Sequence, residues 1–370
     1  MSTTLNRLIR FIIPPERAGG ALLDFLSVRF TYHSAVEWQE RMTSGRVTVN
    51  GQRATPEQIL TTGDELAYDA SGIPEPPMDD RIRLVHCDDD LVVVDKSGNL
   101  TCHPGGRYFN HTLWGLLQTR HGIAKPTFIN RIDRETSGLV VIARTSAATK
   151  NLRAQFADRR VEKRYEALVE GAFPDRVACA GWVVADFSGE VLKQRRFISV
   201  RTEGRAHTSS SVDAAGGRVF PRPAVAATDG SGRRDACTTT LFHDASDSPA
   251  PPTPDAQWAV TAFRREAVHG PISHVTAWPH TGRLHQIRVT LQSLGFPLVG
   301  DKLYGKDPGC FLRFCRDELT SEDRARLRLP RQALHAAGLR FHHPRTGQEM
   351  AFDLPLPDDM QAVIHACAAM

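Results

Sequence analysis

The sequence predicts an α+β fold in two parts, a small domain over 1–72 and a larger one over 82–360, joined by a linker at 73–81. Three observations carry this reading. Two short helical patterns and then hairpin-forming strands fill 17–70. The stretch SGIPEPPMDD interrupts the chain with three prolines and no periodicity. Short apolar strands and further helical patterns follow it, with no internal repeat.

In the small domain, apolar-periodic segments at 21–30 and 36–44 read as helices, the second stopped by Gly45. Val47 and Val49 alternate on a strand, Asn50-Gly51 signals a type I′ hairpin, and TTGDELAY adds a turn and a strand. Beyond the linker, strands at 82–86 and 91–95 flank an acidic turn. A glycine-rich loop then carries His103, and a helix is expected at 111–120. GLVVIA at 138–143 is a short continuous apolar run rich in β-branched residues, hence a buried strand. Residues 204–257 carry Ser, Gly and Pro clusters with few large apolar residues. They read as a mostly mobile insertion with one strand at 238–242. Farther on, Ile287, Leu291 and Leu294 fall at i, i+4 and i+7 of a helix that Gly295 stops before Pro297.

Composition bounds the function. The chain has 370 residues, 41% hydrophobic and 24% charged, which are ordinary globular values with room for a large core. No apolar run approaches the ~20 residues of a membrane span. The apolar core before Pro14 and Pro15 is too short for a secretory signal. Seven cysteines without a C-x-x-C pair argue against a metal site and for a reducing, cytoplasmic setting. The net charge of +4 is modest, but the basic residues are overwhelmingly Arg. A nucleic-acid partner and a coding bias explain that excess equally well.

Three strings carry chemistry. In INRIDRETSGLVVIART, Asp133 lies between Arg131 and Arg134 in a polar turn that enters the buried strand. It is either a carboxylate kept ionised for chemistry or a turn Asp capping backbone N–H groups. In HTGRLHQIRVTL, His285 and Arg288 are three apart and share one side of the helix. Arg283 sits at the loop-to-helix junction, where positive charge and N–H groups suit a phosphate. An ordinary amphipathic helix with solvated polar residues reads the same way. In VEKRYEALVEG, Lys163 and Tyr165 alternate with Arg164 and Glu166 in strand fashion, so Tyr165 is a packed strand residue or a substrate platform.

As strings, these three resemble the motifs of the RluA-type pseudouridine synthases, usually His-Arg-Leu-Asp-x-x-Thr-Ser-Gly, Lys-x-Tyr and Thr-Gly-Arg-x-His-Gln-Ile-Arg-Val-His-Leu. Asn130, Ile132 and Thr290 stand where His, Leu and His are usual. The small domain resembles the RNA-binding module of ribosomal protein S-four. The resemblance covers about 82–203 and 258–357. It implies a mixed, mainly antiparallel sheet in the catalytic domain and isomerisation of uridine in ribosomal RNA or tRNA, without cofactor or metal. It also implies Asp133 as the catalytic carboxylate, Arg288 as its ionic partner, Tyr165 against the target base and Leu291 lining the uracil site. Arg131, Arg134, Lys163, Arg283 and His285 are the expected RNA contacts, and a monomer is the expected state. Whether Asp133 attacks C1′ or removes a C2′ proton stays open. Two other readings remain: an RNA-binding or assembly protein with weak activity, and a hydrolytic N-glycosidase, which would want a second carboxylate.

Overall fold

The computed structural model describes residues 7–30, 33–188, 191, 194–200 and 249–369. The chain divides into two compact units, Met1–Asp80 with Leu100–Pro126, and Arg81–Asn99 with Thr127–Met370.

In the first unit, β1 (Leu8–Ile12), β2 (Val47–Val49), β3 (Gln52–Arg53) and β4 (Glu65–Asp69) form a sheet in the order β1-β4-β2-β3. The β2–β3 turn has Asn50 and Gly51 at φ 51° and 76°, as a type I′ hairpin requires. Helices Leu22–Arg29 and Ala35–Thr43 supply Leu22, Leu26, Trp38 and Met42 to a core shared with Val47, Leu66 and Tyr68. A capping box between Ser34 and Glu37 starts the second helix. Strand β1 has no counterpart among the expected elements. Its Ile9 and Phe11 pack against the core while Leu8, Arg10 and Ile12 are exposed, so apolar residues on both faces hide the two-residue period.

The sequence reading grouped 100–126 with the larger domain, whereas the structure packs this segment in the first unit. Glu75 accepts backbone N–H bonds from Phe109, Asn110 and His111 at 2.6, 2.7 and 2.9 Å. Such long-range capping by one carboxylate has no periodicity to read. The expected helix follows as Leu113–His121, with Thr112 as N-cap and left-handed Gly122 at its end.

The second unit is built on one large mixed sheet. Its strands are β5 (Ile82–Cys87), β6 (Leu91–Lys96), β7 (Thr127–Phe128), β8 (Ser137–Ala143), β9 (Glu162–Glu170), β10 (Arg176–Ala185), β11 (Arg195–Ser199), β12 (Gln257–His269), β13 (Ile272–Pro279), β14 (Leu334–His342) and β15 (Glu349–Asp353). The main order is β11-β10-β12-β13-β9-β14-β8-β6-β5, with β15 on β14 and β7 on β8. Among the described pairs only β8–β14 is parallel, so the sheet is mainly antiparallel. Residues 201–248 lie outside the described residues, and with them most of the expected insertion and its strand at 238–242. Residues 249–255 are exposed, and β12 begins at Gln257.

Both faces of the central strands are covered, which is why β8 is buried throughout rather than alternating. On β9, Ala167 and Val169 meet Ile287, Val289 and Leu291 of helix Gln286–Ser293. Leu168 points the other way, to Met360 and Val363 of helix Asp358–Ala368. Leu139 and Val141 of β8 pack with Ala148 and Leu152 of helix Ser146–Ala157. Among the described residues no helix is long and apolar enough to cross a membrane.

The parallel junction explains one motif glycine. Gly138 has φ +111°, and a Cβ there would lie 2.3 Å from the Ala336 carbonyl oxygen. Neither the backbone angle nor the space admits a side chain. Gly138→Ala is therefore expected to destabilise by about 2–4 kcal/mol. It should lower the urea midpoint without changing the slope. A loss under ~0.5 kcal/mol would show that β8 and β14 can separate freely.

Candidate active site

The turn that carries Asp133 is pinned on several sides. Asn130 uses its amide like a strand residue, with Oδ1 accepting from Val141 N at 2.7 Å and Nδ2 donating to Leu139 O at 3.4 Å. That is the role Asn takes at the position where the resembled motif has His. Lys96, wholly buried, donates to the Arg134 carbonyl at 3.2 Å. Thr136 N closes the turn on Asp133 O at 3.1 Å. Glu135 accepts two bonds from Lys302 Nζ at 2.9 Å, which removes it from solvent chemistry.

Asp133 itself retains 27% of its side-chain surface and faces Arg288. Arg288 Nη1 donates to Asp133 Oδ2 at 2.8 Å. Its Nε and Nη2 donate to Asp301 Oδ2 and Oδ1 at 2.8 and 2.9 Å, a bidentate fork. Asp301 has no exposed side-chain surface, and its Oδ1 also accepts the N–H groups of Leu303 and Tyr304 at 3.0 Å. One guanidinium thus joins a fixed, buried carboxylate to an accessible one. Burial alone would raise the pKa of Asp133. The charge and hydrogen bond of Arg288, with the bond from Gln332, outweigh it and hold the carboxyl below its usual value. Gln332 Nε2 bridges Asp133 Oδ2 at 3.3 Å and Thr136 Oγ1 at 2.6 Å.

His285 starts helix Gln286–Ser293 in a left-handed conformation, φ 57°. Its Nε2 is 4.0 Å from Asp133 Oδ1 and its Nδ1 is 2.9 Å from the Tyr304 hydroxyl. Burial draws its pKa down to about 4 against the opposing charge of Asp133, so the ring is neutral at pH 7. Tyr304 OH accepts from Arg195 N at 2.9 Å and shares a hydrogen bond with His285 Nδ1. The Tyr304 ring also lies 5.0 Å under the Arg288 guanidinium.

The other expected site residues are placed as follows. Tyr165 on β9 is in register with Ala336 of β14, which pairs with Gly138 of β8. It packs on the cluster that holds Leu291 and Tyr304. Leu291 has no exposed surface and sits in the cluster that β9 and this helix share. Its fully apolar side chain and i+4 spacing from Ile287 place it on the inward helix face. Thr290, the other departure from the motif, is buried, and its hydroxyl has no hydrogen-bond partner among the described residues. Lys163 Nζ donates to Thr281 O at 3.0 Å. Burial, then the charges of Arg283 and Arg159, bring its pKa down to about 8. Arg283 Nε donates to Trp258 O at 2.9 Å. Arg131 is exposed, and Arg134 pairs with Glu135 at 3.3 Å and lies 5.4 Å over the Phe314 ring.

Asp301, Gln332 and Tyr304 were not singled out in the sequence. A lone Asp inside the apolar string PLVGDKLYG was a signal for the first, and nothing local marks Gln332. Among the described residues one group, Asp88, Asp90 and His343, is close enough to hold a metal ion. His343 Nδ1 accepts the N–H groups of Arg345 and Thr346 at 3.2 Å. Its proton is then on Nε2, which faces Asp88 Oδ2 at 3.1 Å, so the group is a hydrogen-bonded network closing the β5–β6 turn.

Residues 90–293, more than half of the chain, match the family model described as RNA pseudouridylate synthase. An "uncharacterized RNA pseudouridine synthase" of Chlorobaculum parvum is 30% identical, covering 88% of this chain and 87% of its own length. "Ribosomal large subunit pseudouridine synthase D" of Pseudomonas aeruginosa is 28% identical over 93% and 91%. The solved structure of human RNA pseudouridylate synthase domain containing 4 has the same fold, with a TM-score of 0.50 at 21% identity over 76% of this chain and 91% of that one.

Proposed function

The chain belongs to the RNA pseudouridylate synthase family and is an RNA uridine isomerase, and from that premise we propose that Asp133 acts at the ribose and that the target is large-subunit ribosomal RNA. The reaction breaks the bond from ribose C1′ to N1 of uracil and joins C1′ to C5. The C5 hydrogen leaves and N1 gains one, so nothing is lost overall. One ionised carboxylate is sufficient because uracil departs as a delocalised anion. The observation that carries the assignment is the Asp133–Arg288–Asp301 chain, which leaves one charged carboxylate accessible.

The same geometry disfavours hydrolysis by a carboxylate pair. The nearby Glu135 is neutralised by Lys302, and Asp301 is buried under Arg288. Tyr165 holds the base beside this carboxylate. Lys163 and Arg283, with Arg159 nearby, give the Thr281–Gly282 turn a positive field suited to the phosphate of the extruded nucleotide. The neutral ring of His285 adds no charge beside Asp133 that would compete with Arg288.

The ribosomal assignment rests on the names of the relatives and is open to direct test. Purified protein is incubated with unmodified transcripts of large-subunit ribosomal RNA and of tRNA, and pseudouridine is mapped. New sites in the ribosomal transcript are expected. Sites in tRNA alone would reassign the target, and abasic ribose would overturn isomerisation itself.

A further inference from the structure

The first unit contains a cavity of ≈ 230 Å³ lined by Arg7, His33, Glu37, Arg41, Tyr68 and Arg107 beside a short apolar wall. Three guanidinium groups thus face one carboxylate. Among the described residues none of the three pairs with a carboxylate. Arg7 is only 8% exposed, and its guanidinium meets neutral groups, donating to Gly106 O at 2.6 Å and lying 5.5 Å from the Phe109 centroid. Arg41 donates from Nε to the Tyr68 hydroxyl and from Nη1 to Glu37 O, both at 3.0 Å. Glu37 is already committed, accepting from Ser34 N at 2.7 Å within its capping box.

A buried cation without a counter-ion is unfavourable, and an arriving anion relieves it. The imidazole of His33 reports the same field. Burial, then the charge of Arg41, pull it down to about 4 against the single opposing carboxylate of Glu37, and Arg107 and Arg7 add to the effect. It therefore adds no charge of its own at neutral pH. The Tyr68 hydroxyl, 3.0 Å from His33 Nε2, supplies a further polar group to the wall.

We propose that this cavity binds a backbone phosphate of the substrate RNA, with Arg7 as the fixed donor and Arg41 and Arg107 completing the contact. The inference rests on RNA being the substrate, and it adds a contact that the isomerisation chemistry does not require. A planar guanidinium fork matches phosphate geometry, and Arg107 is exposed, so a phosphodiester continuing beyond the cavity meets charge outside it as well.

The test uses the full chain and a substrate RNA hairpin, with affinity measured by fluorescence anisotropy over a KCl series. Arg7→Gln/Arg107→Gln is expected to weaken binding at every salt concentration. It should reduce the slope of log K against log[KCl] by about 2, roughly one per cation. The single-turnover rate at saturating RNA should stay at the wild-type value. Glu37→Gln guards against a folding artefact, because Gln preserves the capping box while removing the one negative charge. It should tighten binding and steepen the slope, which unfolding cannot mimic. Wild-type affinity and slope in both variants would overturn the proposal. They would do so even where inorganic phosphate binds the wild-type protein by calorimetry, since the cavity would then serve a free anion. Failure to modify ribosomal RNA leaves these affinities unaffected, so the two readings fail separately.

Discussion

Asp133→Asn is expected to abolish isomerisation while leaving the fold and RNA affinity close to wild type. The amide keeps the shape and can still accept a bond from Arg288, but it can neither attack a carbon nor take a proton. Loss of such a group lowers rates by about 10²–10⁴ or more. Folding should survive because Arg288 keeps its bidentate partner Asp301. The charge of Asp133 stabilises the fold because its folded pKa lies below the unfolded value. That contribution is complete above the unfolded pKa, near 3.9, and disappears as pH falls through the folded one. Variant and wild type should therefore differ slightly in urea midpoint at pH 7 and converge in acid. Single-turnover assays decide the catalytic claim, and a rate above ~1% of wild type would remove Asp133 from its role.

The second large effect is expected at Arg288, and the structure changes how it is best tested. Arg288→Met strands Asp301, which has no exposed side-chain surface, and should destabilise the fold by about 3–5 kcal/mol. Asp301 now sits below its usual pKa because the charge and fork of Arg288 outweigh its burial. Without them burial dominates and its pKa rises, so the defect should be greatest at neutral pH and shrink as acid protonates Asp301. The catalytic role is better isolated by Arg288→Lys, which keeps one charge but cannot bridge two carboxylates. Its single-turnover rate should fall at least ~10²-fold, in line with misplacement of a reacting group. The acidic limb of its pH–rate profile should move to higher pH, because Asp133 loses part of the field that keeps it ionised. Superimposable profiles for Arg288→Lys and wild type would show Arg288 to be structural only. Arg288→Met/Asp301→Asn, with no stranded charge, should recover most of the stability and none of the activity.

The sequence by itself determined the elements whose causes are local. Continuous β-branched residues made β8, left-handed Asn50-Gly51 made the β2–β3 hairpin, and Gly295 ended helix Gln286–Ser293. The strings around Asp133, Tyr165 and Arg288 were legible too, since each keeps its chemistry within a few residues, and the pairing of Asp133 with Arg288 was expected from the family resemblance. What only the tertiary structure decided was everything set by distant partners. Asp301 anchors Arg288, Gln332 reaches Asp133 across 199 residues, and Glu75 draws 109–111 into the first unit. Leu291 is buried because β9 packs on that helix face, a contact its own spacing could not specify. Periodicity records which side of an element is apolar. Which carboxylate is buried, which cation it holds and which charge stays accessible depend on what packs against that side, and that is settled only when the chain has closed on itself.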